Sequence, residues 1–226
     1  MSRYIGCLLL LFAVNSQAAL STFNSPSAAA AADTRDAWLN AIGITEPEFL
    51  IDFETGFTDG QNISGDSLVA GLVITDTSPA GAAIVSDSAS DFGSSSPVGT
   101  FALAHNERAY LEFDFSASPV DYFGFRDIDQ SSTSGIVTFV GGATEGISFE
   151  TTATSGFSAE FFGLYRNDMP KIILVQLDAN GDGEWGVDNL EFGSVVVPLP
   201  GAVYLLGSAL LTFAFGAKRR PLARTS

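Results

Sequence analysis

From residue 49 to residue 192 the chain is written in short apolar bursts, and that rhythm constrains the fold more than any other feature. The bursts fall at 49–53, 71–75, 82–85, 100–104, 109–115, 120–126, 136–140, 146–150, 159–164, 171–177 and 187–192, with Gly, Ser, Asp and Pro between them. Ala109-Tyr110-Leu111-Glu112-Phe113-Asp114-Phe115 alternates cleanly. A period of two puts every second side chain on one face, as a half-buried strand requires. About ten short strands separated by turn residues are the signature of an antiparallel sandwich. No long helical pattern interrupts them, which argues against a parallel α/β sheet. No fixed-period repeat is evident. The expected fold is all-β: a jelly-roll-like antiparallel β-sandwich over residues 47–193.

Residues 19–46 read differently. A small-residue tract, 25–32, runs into Asp33-Thr34-Arg35-Asp36-Ala37-Trp38-Leu39-Asn40-Ala41-Ile42. Ala favours helix, Pro26 suits a first turn and Gly43 suits a stop just past the last turn. Trp38, Leu39 and Ile42 share one helical face. The pattern predicts one N-terminal helix at about 27–42, packed on the body or standing as a spacer.

The two ends carry addresses. In residues 1–18, Arg3 precedes an apolar run, 5–14, and Ser16-Gln17-Ala18 supplies small residues before a cleavage site. This is the three-part pattern of a secretory signal peptide. The single cysteine, Cys7, lies inside the apolar run and not after the cleavage site, so lipidation is excluded and the exported body has no disulfide. At the other end, Val197-Pro198-Leu199-Pro200 precedes an uncharged stretch, 201–217, followed by Lys218-Arg219-Arg220. As a helix the stretch is ~26 Å long, enough to span a bilayer with some thinning. Basic residues after a span stay in the cytoplasm, which puts the body outside.

The order proline motif, small-residue-rich helix, basic triplet and short tail in 194–226 closely resembles the PEP-CTERM sorting signal in its Val-Pro-Leu-Pro variant. Leu199 stands where the commonest form has Glu, which points to a variant exosortase subclass. The resemblance implies a secreted protein of a Gram-negative, exopolysaccharide-making bacterium. Its C-terminal transmembrane helix would hold it in the inner membrane until an exosortase recognises Val197, Pro198, Leu199 and Pro200 and removes the helix. An ordinary C-terminal anchor satisfies the span and basic flank as well.

The body has a family look of its own. Leu50-Ile51-Asp52-Phe53-Glu54 opens it, a run at 115–125 sits in the middle, and Phe161-Phe162-Gly163 and Val187-Asp188-Asn189-Leu190-Glu191-Phe192-Gly193 come late. This order resembles ectodomains of PEP-CTERM proteins and, more distantly, jelly-roll carbohydrate-binding modules. The second resemblance implies a structural calcium ion shared by Glu54 and Asp188. From the residues themselves, Asp178-Ala179-Asn180-Gly181-Asp182-Gly183-Glu184 places oxygens at alternate positions with Gly at the sixth, as in a calcium loop. Position 12 is Asn189 in place of the bidentate Glu, and Asp188 is the substitute ligand on offer. The alternative is a solvated hairpin turn, for which the same residues are ideal. Asp127-Ile128-Asp129-Gln130 reads as a charged hairpin end.

Charge excludes one class of partner. All 26 acidic residues lie within 33–191 against five basic ones, a formal −21 for that stretch, while the whole chain is −16. Nucleic-acid binding rests on basic residues and is excluded. Catalysis finds little support. His105 is the only histidine, there is no Gly-x-Ser-x-Gly elbow, and a zinc site lacks ligands. Trp38, Trp185 and Tyr122 are candidates to stack on sugars, or else to fill the core. The sequence therefore points to a non-catalytic surface or matrix protein whose partners are an exosortase, the membrane before processing, and exopolysaccharide. A carbohydrate-binding ectodomain is the alternative.

Overall fold

The computed structural model describes residues 19–77, 82–88, 99–105, 110–128, 132–150, 159–166, 170–178 and 185–195. A compact unit closes at Val195. The signal peptide and the expected transmembrane helix at 201–217 lie outside the described residues. Among those described, no helix is long and apolar enough to cross a membrane.

In chain order the strands are β1 (Ser21–Asn24), β2 (Phe49–Ile51), β3 (Gln61–Asn62), β4 (Val73–Asp76), β5 (Ile84–Ser86), β6 (Ala102–His105) and β7 (Leu111–Asp114). They continue with β8 (Tyr122–Ile128), β9 (Ser132–Phe139), β10 (Thr144–Glu150), β11 (Ala159–Tyr165), β12 (Ile172–Asp178) and β13 (Trp185–Gly193). Each expected burst became a strand. β1 and β3 are additions.

Two antiparallel sheets result. The larger runs β1-β11-β8-β13-β6-β5-β3, with β2 also on β13, and the smaller runs β10-β9-β12-β7-β4. From β6 onward the chain passes between sheets so that β6-β13-β8-β11 faces β7-β12-β9-β10, the strand order of a jelly roll. Alternate side chains of both sheets meet in one core. Phe123, Phe125, Phe162, Val187 and Phe192 come from the larger sheet; Phe113, Val137, Phe139, Val175 and Leu177 come from the smaller. Phe113 and Phe123 join the two, with ring centroids 5.0 Å apart.

The helix forms as its residues require. The Ser27 hydroxyl accepts from the Ala30 N–H, a single 3₁₀ turn (Ala28–Ala30) follows, and α1 spans Ala31–Ile42. Gly43, at φ +85°, donates to the Leu39 and Asn40 carbonyls and ends it. α1 lies on the outer face of the larger sheet, so it belongs to the body and is not a spacer. Ala31, Trp38, Leu39 and Ile42 pack there with Tyr122 and Phe161.

The seat of Trp38 is a pair of glycines. Gly124 and Gly163 face each other across β8 and β11. A Cβ at either would sit 3.0 or 2.9 Å from the indole, so only glycine leaves room for it. The indole N–H donates to the Leu164 carbonyl at 3.3 Å.

The end of the unit is pinned. The Val195 N–H donates to Asp121 Oδ2 and the Ser194 N–H to Glu48 Oε2, each at 2.8 Å. Lys171 donates to Ser194 Oγ at 2.8 Å and pairs with Asp121 at 3.3 Å.

Candidate functional site

The most developed polar site lies on the outer face of the larger sheet, beside α1. It begins with a bulge. β13 pairs with β8 at Asp188↔Arg126 and again at Glu191↔Gly124, so three steps on β13 match two on β8. Asn189 absorbs the extra residue at φ +49°, a conformation that Asn tolerates better than most side chains. Val187, Leu190 and Phe192 then face the core. Asp188 and Glu191 both face outward, on the side of Arg126. Without the extra residue the period of two would put Glu191 into the core.

α1 brings the fourth charge. Arg35 Nε donates to Glu191 Oε1 at 2.5 Å, while its other nitrogens lie 3.9 Å from Glu46 and 4.0 Å from Asp36. The Glu191 side chain is only 3 % exposed, and its Oε2 is buried without a hydrogen-bond partner. Burial pushes the Glu191 carboxyl above its usual range, against the bond and charge of Arg35 and the charge of Arg126. Burial likewise lowers Arg126, against the attraction of Glu191 and Asp188. The Arg126 guanidinium lies 5.9 Å from the Phe161 ring centroid.

Beside these groups opens a cleft of about 280 Å³ lined by Ala32, Arg35, Asp36, Leu50, Arg126, Asn189 and Glu191. Its polar lining is two guanidinium groups, Arg35 and Arg126, with Asp36, Asn189 and the buried Glu191. Glu191, the one buried carboxylate in its lining, is tied to Arg35. A second cleft of about 400 Å³, lined by Leu50, Ile51, Asp52, Thr55, Phe57, Leu68 and Val69, is mainly apolar.

The residues singled out from the sequence do not meet at one point. Asp178 ends β12, partly exposed, opposite Ser134. Asn180, Asp182 and Glu184 lie outside the described residues. Asp188 is buried against Arg126, and its Oδ1 accepts from the Asn189 N–H. Glu54 Oε1 accepts from the Thr100 and Phe101 N–H groups at 2.6 and 3.1 Å, and these bonds hold its carboxyl below the usual range. Glu54 thus clamps the approach to β6. Among the described residues no group of three or more His, Cys, Asp or Glu could hold a metal ion. The sorting motif Val197, Pro198, Leu199 and Pro200 and the flank Lys218, Arg219 and Arg220 also lie outside the described residues.

One open alternative is decided, in favour of the core, and one expectation is corrected. Trp38, Trp185 and Tyr122 are 0, 0 and 1 % exposed, so none of the three offers a stacking face. Asp127 is not part of a solvated hairpin end: it is 2 % exposed, inside the sandwich. The period of two through Phe123 and Phe125 was the signal that places it there. Arg35, Arg126 and Glu191 were missed as a group. Arg35 and Glu191 are 156 positions apart, and no local pattern joins them.

Fold and site together describe an antiparallel β-sandwich with one helix on its outer face and a charged cleft beside that helix. No protein-family model and no curated protein matches the chain. Among solved structures it is similar to carbohydrate-binding modules of family 29. A point mutant of CBM29-2 aligns at 13 % identity and a TM-score of 0.30, covering 46 % of this chain and 81 % of that one. A CBM29-2 mutant complexed with cellulohexaose aligns at 12 % identity and 0.30, covering 44 % and 75 %. A further family 29 module aligns at 12 % and 0.30, covering 44 % and 73 %. Likenesses this slight carry no argument about what this chain binds.

Proposed function

We propose that this protein is an exported, non-catalytic β-sandwich of the PEP-CTERM type. A C-terminal helix holds it at the inner membrane of a Gram-negative bacterium, and an exosortase releases it to the cell surface or matrix, among exopolysaccharide. The observation that supports this reading is where the folded unit stops. β13 is complete at Gly193, Ser194 and Val195 are pinned by side chains, and the compact unit closes there. The motif begins two residues later, at Val197. Cutting at the motif therefore removes no strand and no buried residue of the described fold.

The charge fits the same role. Loss of both ends leaves 26 acidic and five basic residues, which keeps the released protein soluble and repels other anionic surfaces unless divalent ions bridge them. The alternative of carbohydrate recognition rests on the polar cleft beside α1, since Trp38, Tyr122 and Trp185 are in the interior.

Intact mass and membrane partition of the protein from its native host test the proposal. The expected species starts near Ala19, ends within 197–200 and is found outside the cell. A membrane-bound species that keeps 218–226 overturns it in favour of a plain anchored ectodomain.

A further inference from the structure

Past its last strand the chain is held for two more residues. β13 ends at Gly193, yet Ser194 and Val195 stay on the body. The Ser194 N–H donates to Glu48 Oε2 and the Val195 N–H to Asp121 Oδ2, each at 2.8 Å. Lys171 donates to the Ser194 hydroxyl at 2.8 Å and pairs with the same Asp121 oxygen at 3.3 Å. Glu48, Asp121 and Lys171 each stand one residue ahead of a strand: β2, β8 and β12. Three strand starts thus close on one strand end. The Asp121 N–H also donates to the Gly193 carbonyl at 2.8 Å. Val195 packs on the cluster of Trp38, Tyr122 and Phe161. The fit is close: a Cβ on Gly193 would lie 2.5 Å from both Glu48 Cβ and the Tyr122 hydroxyl oxygen, so glycine is needed there.

This clasp leaves a short reach. The proline motif starts at Val197, two residues past Val195. An extended chain covers ~3.3–3.6 Å per residue, so Val197 lies at most about 7 Å from the last held residue. One helix with its side chains is ~10–12 Å thick. An enzyme that closes around the motif would therefore meet the folded body first. Freeing Ser194 and Val195 makes Gly193 the last held residue, and the four residues from there to Val197 reach about 14 Å. That length clears one helix. We propose, on the sorting reading given above, that the clasp gates processing: the motif enters the cutting enzyme only while Ser194 and Val195 are released. Both lie outside β13, so opening breaks no strand pairing.

Pulse-labelling of the full chain in its native host tests this, with loss of the 218–226 tail as the readout. Each hydrogen bond removed favours opening by about fivefold, so Glu48→Ala with Asp121→Ala is expected to speed tail loss by about fivefold or more. Should the double variant not fold, Glu48→Ala alone serves, because that side chain is exposed. A second form carries Gly-Ser-Gly-Ser inserted between Val195 and Val196, which supplies the reach while the clasp stays shut. It should lose its tail as fast as the clasp variant, and adding Glu48→Ala and Asp121→Ala to it should change little. Hydrogen exchange of the purified chain should show protected Ser194 and Val195 amides, with Glu48→Ala removing the protection of Ser194. Equal tail loss in the original, clasp-variant and inserted forms overturns the gate and leaves the sorting reading standing. Slower loss in the clasp variant also overturns it, since the clasp would then present the motif. Unprotected Ser194 and Val195 amides in the original chain overturn it without reference to the enzyme. Tail loss in none of the forms overturns the sorting reading, and the gate with it.

Discussion

Asn189 decides which face Glu191 occupies, and Arg35 decides whether Glu191 is tolerated there. One residue at positive φ slips β13 against β8 and turns a position due for the core outward. The carboxylate it delivers is still almost wholly buried, and Arg35 compensates it. Arg35→Met should therefore cost about 3 kcal/mol at pH 7. That is the low end for a broken buried pair, since Arg126 still faces Glu191. The pH dependence has a definite sign. Burial already raises the folded pKa of Glu191, and losing Arg35 raises it further. A carboxyl with a raised folded pKa supports the fold below its unfolded pKa and withdraws that support as pH rises through the folded pKa. Urea unfolding should show a larger deficit for Arg35→Met at pH 7 than at pH 4.5. An equal deficit at both would mean that Arg35 acts through packing alone.

At the scale of elements, α1 and the larger sheet depend on one another through Trp38. Its indole fills the space that Gly124 and Gly163 leave open and meets the rings of Phe161 and Tyr122 at 5.2 and 5.5 Å. Trp38→Ala should destabilise by about 3–5 kcal/mol, as large-to-small core changes do. Gly163→Ala should cost about 1–3 kcal/mol by pressing a methyl into the indole and the Phe161 ring. Urea midpoints check both, and a neutral Gly163→Ala would mean that α1 lifts without penalty. These elements differ in how far they were legible. The apolar bursts announced their strands because alternation and turn residues are local. β1 and β3 were silent: Ser21-Thr22-Phe23-Asn24 and Gln61-Asn62 are strands only because β11 and β5 pair with them. The helix was readable from its alanines, its Trp38 stripe and Gly43. Its seat was not, because two isolated glycines mean nothing until the register sets them side by side. The charged cleft was hidden for the same reason. Asp127 could have been read, since alternation from Phe123 already turns it inward, but its acidic neighbour Asp129 suggested a solvated turn.

For the whole molecule the dominant long-range quantity is charge. The stretch 33–191 holds 26 acidic and five basic residues, and most of that excess repels itself. Raising NaCl from 20 to 500 mM at pH 7 should raise the melting temperature, because the added ions shorten the screening length from roughly 20 Å to under 5 Å. A fall would mean that pairs such as Arg35–Glu191 outweigh the repulsion. The pinned exit at Ser194 and Val195 has a mechanical meaning. Any pull on the C-terminal side of the chain enters the fold at Lys171, Asp121 and Glu48 before it reaches β13. Behind that clasp, β13 is hydrogen-bonded to β8 along one edge and to β2 and β6 along the other. Tension drawn along such a strand loads two ladders together, so they must fail in parallel and not rung by rung. A sandwich pulled from that end would have to break both ladders at once.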